Sequence, residues 1–340
     1  MTLRETAKRH APSRRALVAA GLFTAAVAIV GSSPQLLGSQ VAHAFAGLED
    51  ARAGWLWAAA ACFVSVLVTF GLAWRSAIRS CGGDLPAPDA AARYSVAAAV
   101  NSFAPAKLGD ALRIVLFSRA LPNEERRWTC AGVYTTIGAA RAGWLGLLLV
   151  GGWLAGALPI WPMLAAAVMV VAALGASLFA RRRTAGTKLA HFFDAYRALG
   201  SNPRRAAGVV AWAGAAMGLR VLGAASICAS LGVNRPLAAA LLIIPAIDAA
   251  TLLPLTPGNV GLMSGAVTVA LQTKGVSLDT ALTAGIALHA VEAAASIVCG
   301  AAGALLLARY PSPRLRRLAL TGATAVVALT LAATFGLTVL

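Results

Sequence analysis

The sequence predicts an all-α, polytopic membrane protein with about seven full transmembrane helices and two re-entrant hairpins arranged as inverted repeats. Three observations carry this expectation. Of the 340 residues, 59% are hydrophobic and only 12% charged, where a soluble domain carries about a quarter charged residues. Several apolar runs approach the roughly 20 residues needed to span a bilayer. Two of the apolar regions are interrupted by proline and glycine at matching positions, Pro105-Ala106-Lys107-Leu108-Gly109 and Pro257-Gly258-Asn259-Val260-Gly261.

Taken in order, residues 1–15 form a basic tail and 16–37 a first apolar helix. Val41-Ala42-His43-Ala44 has the small-residue pattern of a signal-peptidase site. Its distance from the apolar run favours a retained first helix. A second span runs over 54–74. Two short arms, 90–103 and 111–120, then flank the break at Pro105 to Gly109, with basic residues on both sides. This reads as a hairpin dipping in from the cytoplasm.

Spans over 129–150 and 160–180 follow, then an amphipathic stretch at 187–200 in which Phe192, Phe193 and Tyr196 lie near Lys188 and Arg197. The span 206–231 leads to the apolar region Leu237 to Leu271. Pro254, Pro257, Gly258 and Gly261 within it forbid an unbroken helix, because proline lacks the amide donor and clashes with the preceding turn. Broken backbone at membrane depth is tolerated only inside protein or around a cavity. Spans over 278–308 and 318–340 complete the chain.

The net charge of +17 is not distributed like a nucleic-acid surface. Of 29 Lys and Arg, Arg52, Arg235 and Lys274 fall outside, Arg141 and Arg220 fall within spans, and the rest lie on one side. That positive-inside asymmetry places the N-terminus in the cytoplasm. Membrane lipids, not nucleic acid, are the expected partners. The five cysteines are isolated and odd in number, which supports neither a disulfide framework nor a zinc site. No cofactor or metal is expected.

The two Pro-x-x-x-Gly motifs are offset by 152 residues, and the same offset maps span onto span. The whole chain, 1–340, forms a single membrane domain, with repeat 1 at 54–180 and repeat 2 at 206–340. Each unit holds an odd number of crossings plus a hairpin, so the two have opposite orientation. Such inverted repeats with breaks at corresponding positions place a transport site at the repeat interface.

Candidate binding groups are those that the bilayer disfavours unless they are used. Lys107 and Arg113 flank the first break, with Asn101 before it and Asn259 at the second. Arg141 and Arg220 lie deep in apolar spans, where an ionisable side chain costs at least roughly 2.5 kcal/mol and faces a partner or cavity. The cations could hold an anionic headgroup, Arg in bidentate fashion. Equally, Asp110 can pair with Arg113 at i,i+3, and Asp248 and Glu292 can pair with Arg141 and Arg220, which makes them structural ion pairs. His289 and Glu292 share a helical face, and with Asp248 they could couple protons. They do not match a metalloprotease or di-iron motif. Ser264 is expected mainly to satisfy freed backbone groups. No nucleophile elbow or paired catalytic carboxylates appear, so an enzyme is not expected; an intramembrane enzyme would have only His289, Glu292 and Asp248 to work with.

At these residues the sequence resembles the lysylphosphatidylglycerol synthase transmembrane-region family, a flippase-like domain. Pro105-Ala106-Lys107-Leu108-Gly109-Asp110 with Arg113 is similar to that family's first motif. Pro254-Leu255-Thr256-Pro257-Gly258-Asn259-Val260-Gly261 with Ser264 is similar to its second, and Trp74-Arg75 also fits. The sequence departs from the pattern in having Ser264 for an acidic residue, Asn259 for a glycine and Ala140 before Arg141. The resemblance implies movement of an anionic-headgroup lipid, a phospholipid or polyprenyl-phosphate derivative, between leaflets. The alternative is a non-transporting subunit that scaffolds a lipid-modifying or glycosyltransferase enzyme.

Overall fold

A computed structural model describes residues 51–104, 108–122, 125–154, 156, 196–250 and 260–308. Every element among them is helical: α1 Ala53–Ser80, α2 Ala87–Phe103, α3 Leu108–Ser118, α4 Arg126–Leu154, α5 Pro203–Ser230, α6 Pro236–Ala250, α7 Val260–Gln272 and α8 Leu278–Ala308. Four of these, α1, α4, α5 and α8, are long and apolar enough to cross a membrane. The chain is a polytopic helical membrane protein. The expected spans at 16–37, 160–180 and 318–340 lie outside the described residues, as does most of the stretch 187–200. So do the break residues Pro105, Lys107, Pro254, Pro257, Gly258 and Asn259.

Two of the described spans, α1 and α4, extend beyond their apolar windows at both ends. α1 continues past Trp74 through Arg75 and Arg79 to Ser80, because long basic side chains can lie along apolar surface while their heads reach polar partners. Arg75 Nε donates to the Leu85 carbonyl at 2.9 Å and thereby pins the loop that follows. α1 and α5 end alike. The amide of Gly83 donates to the Ile78 carbonyl at 3.0 Å, and that of Val233 to Cys228 at 3.0 Å. Gly82 and Gly232 take the positive φ that such a helix terminus requires. α5 starts at Pro203, with the Asn202 side chain accepting from the Arg205 amide at 3.2 Å.

α1 and α5 form the centre of the bundle and run antiparallel. The Arg52 amide donates to the Ser230 carbonyl at 3.1 Å, joining the start of α1 to the end of α5. Arg205 Nη1 donates to the Arg79 carbonyl at 2.6 Å, joining the start of α5 to the end of α1. Phe63, Val66, Phe70, Trp74, Ala77 and Ile78 are all buried, the stripe that a helix of 3.6 residues per turn presents to a core. α8 packs on α1 and α2, α4 packs on α5, and α2–α3 and α6–α7 form two short-armed pairs.

Lipid tails give helices no hydrophobic reason to associate, so close contact depends on small residues. A Cβ on Gly303 of α8 would come within 2.8 Å of the Ala92 carbonyl of α2, and one on Gly71 within 2.7 Å of the Ala91 backbone. Within the first pair, a Cβ on Gly109 would collide with the Ala97 carbonyl and the Asn101 side chain. Gly109 is therefore demanded by packing. Its counterpart Gly261 differs: a Cβ there would meet nothing within 4 Å.

Candidate functional site

Two carboxylates organise the polar interior. The first is Asp110, two residues into α3. Its Oδ1 accepts from Asn101 Nδ2 at 2.9 Å and from Arg113 Nη1 at 2.8 Å, and its Oδ2 accepts from Tyr134 Oη at 3.0 Å. Asn101 comes from α2, Arg113 from one turn along α3, and Tyr134 from α4, so one carboxylate ties three helices. The Gly109 contact lets α3 lie close enough to α2 for Asn101 to reach it. Arg113 also stacks over Tyr94, its Cζ 4.2 Å from the ring centroid. With 9% of its side chain exposed, Arg113 is sealed between carboxylate and ring.

The second centre is Asp248, near the end of α6 and one turn beyond Pro245, which lies inside that helix. Arg220 Nη1 of α5 donates to its Oδ1 at 2.8 Å. Arg141 Nη2, from near the midpoint of α4, approaches both oxygens at 3.4 Å. The Arg220 side chain is 8% exposed and that of Arg141 35%. Arg220 is further flanked by Met217, whose sulfur lies 4.0 Å from Nη1. One turn beyond Arg141 on α4, Trp144 fastens that helix to α5. Trp144 Nε1 donates to the Val210 carbonyl at 2.8 Å, and its indole fills the space that a side chain at Gly214 would need.

An aromatic pair links the centres. Tyr94 stacks on Phe70 with centroids 5.5 Å apart and planes 22° from parallel. The Arg141 Cζ lies 5.2 Å from the Phe70 centroid. Each of the two stacked rings thus has one guanidinium over it, Arg113 at Tyr94 and Arg141 at Phe70, each attracted by the ring quadrupole. Tyr134 and Arg141, seven residues apart, share the same face of α4.

The structure thus brings together Asn101, Asp110 and Arg113 at one centre and Arg141, Arg220 and Asp248 at the other. Glu292 enters differently from the pairing considered from sequence. Asp248 takes both arginines, while Glu292 acts on Arg220 and on His289 electrostatically from α8. The reason is geometric: Asp248 sits where α4, α5 and α6 meet. Ser264 Oγ is buried with no hydrogen-bond partner, and its backbone lies against Gly285, so its hydroxyl does not satisfy a freed backbone group as expected. Among the described residues, no three His, Cys, Asp or Glu side chains gather into a metal-binding group.

Phe70, Tyr94 and Tyr134 were not singled out from the sequence. Tyr134 carried a usable signal, two helical turns before Arg141 on one face. Phe70 and Tyr94 did not, because aromatic residues in apolar helices are commonplace.

Buried ion pairs of this kind are costly to desolvate, and removing one partner costs about 3–5 kcal/mol. Three arginines and two aspartates meet in this way inside the helical bundle, so the cations outnumber the carboxylates at these two centres. A search of curated proteins returns no significant match to the chain. The family model of the lysylphosphatidylglycerol synthase TM region matches residues 17–300, a stretch that includes both carboxylate centres and every helix up to most of α8, and the chain belongs to that family.

Proposed function

We propose that the protein moves an anionic-headgroup lipid, a phospholipid or a polyprenyl-phosphate derivative, between the leaflets of the bacterial plasma membrane. The observation that carries this reading is the pair of linked arginine–carboxylate centres at the heart of the bundle. Lys107, Arg113, Arg141 and Arg220, with Asn101 and Asn259, supply the cationic and amide groups for the headgroup. The tails remain in lipid. Guanidinium groups suit this work because they bind phosphate oxygens bidentately and are more weakly hydrated than ammonium.

The two halves act as inverted repeats that rock about the central α1–α5 pair. Helix lengths support this, running 28, 17, 11 and 29 residues in one half and 28, 15, 13 and 31 in the other. So do the antiparallel course of α1 and α5 and their matching glycine termini. The N-terminus lies in the cytoplasm, in keeping with the bond between Arg205 and Arg79, two residues that the charge asymmetry puts on that side. Lys274→Cys should then react with an impermeant thiol reagent from outside, and Arg126→Cys only from inside.

The direct test is leaflet exchange. Purified protein in liposomes should accelerate movement of a fluorescent anionic phospholipid, followed by quenching of the outer leaflet. Exchange no faster than in protein-free liposomes would defeat the proposal and leave the scaffolding role as the better account. Loss of exchange in Lys107→Ala and Arg113→Ala, with the fold intact, supports the headgroup assignment.

A further inference from the structure

The three buried arginines are not held alike. Arg220 meets Asp248 at 2.8 Å, within the range of a charge-assisted bond, whereas Arg141 meets it at 3.4 Å, well beyond the 2.7–2.9 Å such bonds adopt. Arg141 is also the most exposed of the three, at 35% against 8% for Arg220 and 9% for Arg113. Arg141 Nε is buried with no hydrogen-bond partner. A buried donor left in this way is destabilising, and calls for an explanation. Arg113 Nε is likewise unpartnered, but its guanidinium is sealed under Tyr94.

The backbone behind Arg141 is fixed by Trp144, so its guanidinium can swing without α4 moving. Asp248 does not depend on it. With Arg220 seated on Oδ1, the carboxylate keeps a close counter-ion if Arg141 leaves. Glu292 bears electrostatically on Arg220 from α8 and favours its charged form.

We infer that Arg141 is the exchangeable arm of the site: an oxyanion of a phosphodiester headgroup takes the Nε–Nη2 edge of Arg141 from Asp248, while Arg220 stays. The inference rests on the anionic-headgroup reading above and deepens it. Asp248 becomes both the anchor of Arg141 and the competitor of the ligand. Removing Arg141 should weaken recognition, and that loss should persist when the competing carboxylate is removed as well. A merely structural triad predicts neither.

The test is equilibrium binding to the full-length protein in detergent micelles. The probes are dihexanoyl phosphatidylglycerol, dihexanoyl phosphatidylcholine and inorganic phosphate. The wild type should prefer phosphatidylglycerol. Arg141→Gln should lose about tenfold or more in that affinity, equivalent to one charge-assisted contact, with an unchanged unfolding midpoint. Asp248→Asn alone strands Arg220 and can fail to fold, so the double variant Arg220→Gln/Asp248→Asn serves in its place. Because it also lacks Arg220, it is compared with the triple variant that adds Arg141→Gln, and the loss between the two should again be about tenfold or more. Binding by Arg141→Gln within twofold of the wild type overturns the inference, and so does a triple variant that binds within twofold of the double variant. A wild type that does not distinguish phosphatidylglycerol from phosphatidylcholine defeats the headgroup reading itself. If inorganic phosphate alone binds, with the same dependence on Arg141, the exchange holds with a free oxyanion as ligand and the lipid reading falls.

Discussion

The Asp110 and Asp248 centres use the same chemistry, a carboxylate on a short helix near a Pro/Gly motif of the sequence, yet they are built to different tolerances. Asp110 accepts three hydrogen bonds of 2.8–3.0 Å from three helices, and its arginine is stacked on an aromatic ring. Asp248 has one close arginine and one distant one. The first arrangement fixes α2, α3 and α4 relative to one another; the second leaves one guanidinium loosely held and partly exposed. What differs is the origin of the cation. Arg113 lies one turn from Asp110 on the same helix, so its position is dictated locally. Arg141 and Arg220 reach Asp248 from two other helices, and only their packing decides how close they come.

Five substitutions sharpen or break that comparison. The largest effect is expected at Asp248→Ala, which leaves Arg220 buried and unpaired and should cost about 3–5 kcal/mol, read as a lowered unfolding midpoint in detergent. A loss below 1 kcal/mol would mean that water or Glu292 already neutralises Arg220. Next is Gly109→Ala, which forces a methyl into the Ala97 carbonyl and should destabilise by about 1–3 kcal/mol. Gly261→Ala, at the matching position, should stay within about 0.5 kcal/mol. Equal effects at the two glycines would show that the halves use their motifs alike.

Tyr134→Phe removes one of the three donors to Asp110 and should cost about 0.5–1.5 kcal/mol, measured by the same unfolding transition. No change would show that the first centre is less closed than its geometry indicates. The smallest effect belongs to Asp84→Ala. Its contact with Arg79 is 3.2 Å but 42% and 87% exposed, and such a pair is worth about 0–1 kcal/mol. This surface pair is the control against which the two buried centres are judged.

The apolar windows and the Pro/Gly interruptions located the helices among the described residues, because both signals are local. Apolar length sets a span, and proline ends one through its own missing donor. α8 begins and ends where its sequence window does, at Leu278 and Ala308. α1 overran its window, because Arg75 and Arg79 find backbone and side-chain partners at the bundle end and their charge does not stop the helix. The pairing of Asp110 with Arg113 was legible for the same local reason: three residues on a helix is one turn.

The identity of the other partners was not legible. Arg220 lies 28 residues from Asp248 and Arg141 lies 107, so no spacing rule connects them. Glu292 was as good a candidate acid by composition and apolar depth. The choice between the two depends on the rotation of each helix about its axis, which follows from where Gly71, Gly109, Gly214 and Gly303 let backbones and side chains approach. The sequence by itself determined that this chain crosses a membrane, where its helices break and which ionisable residues they bury. Only the tertiary structure decided that two arginines share one aspartate and that an aromatic pair stands between the centres. Charge and hydropathy are properties of residues, whereas distance is a property of their packing.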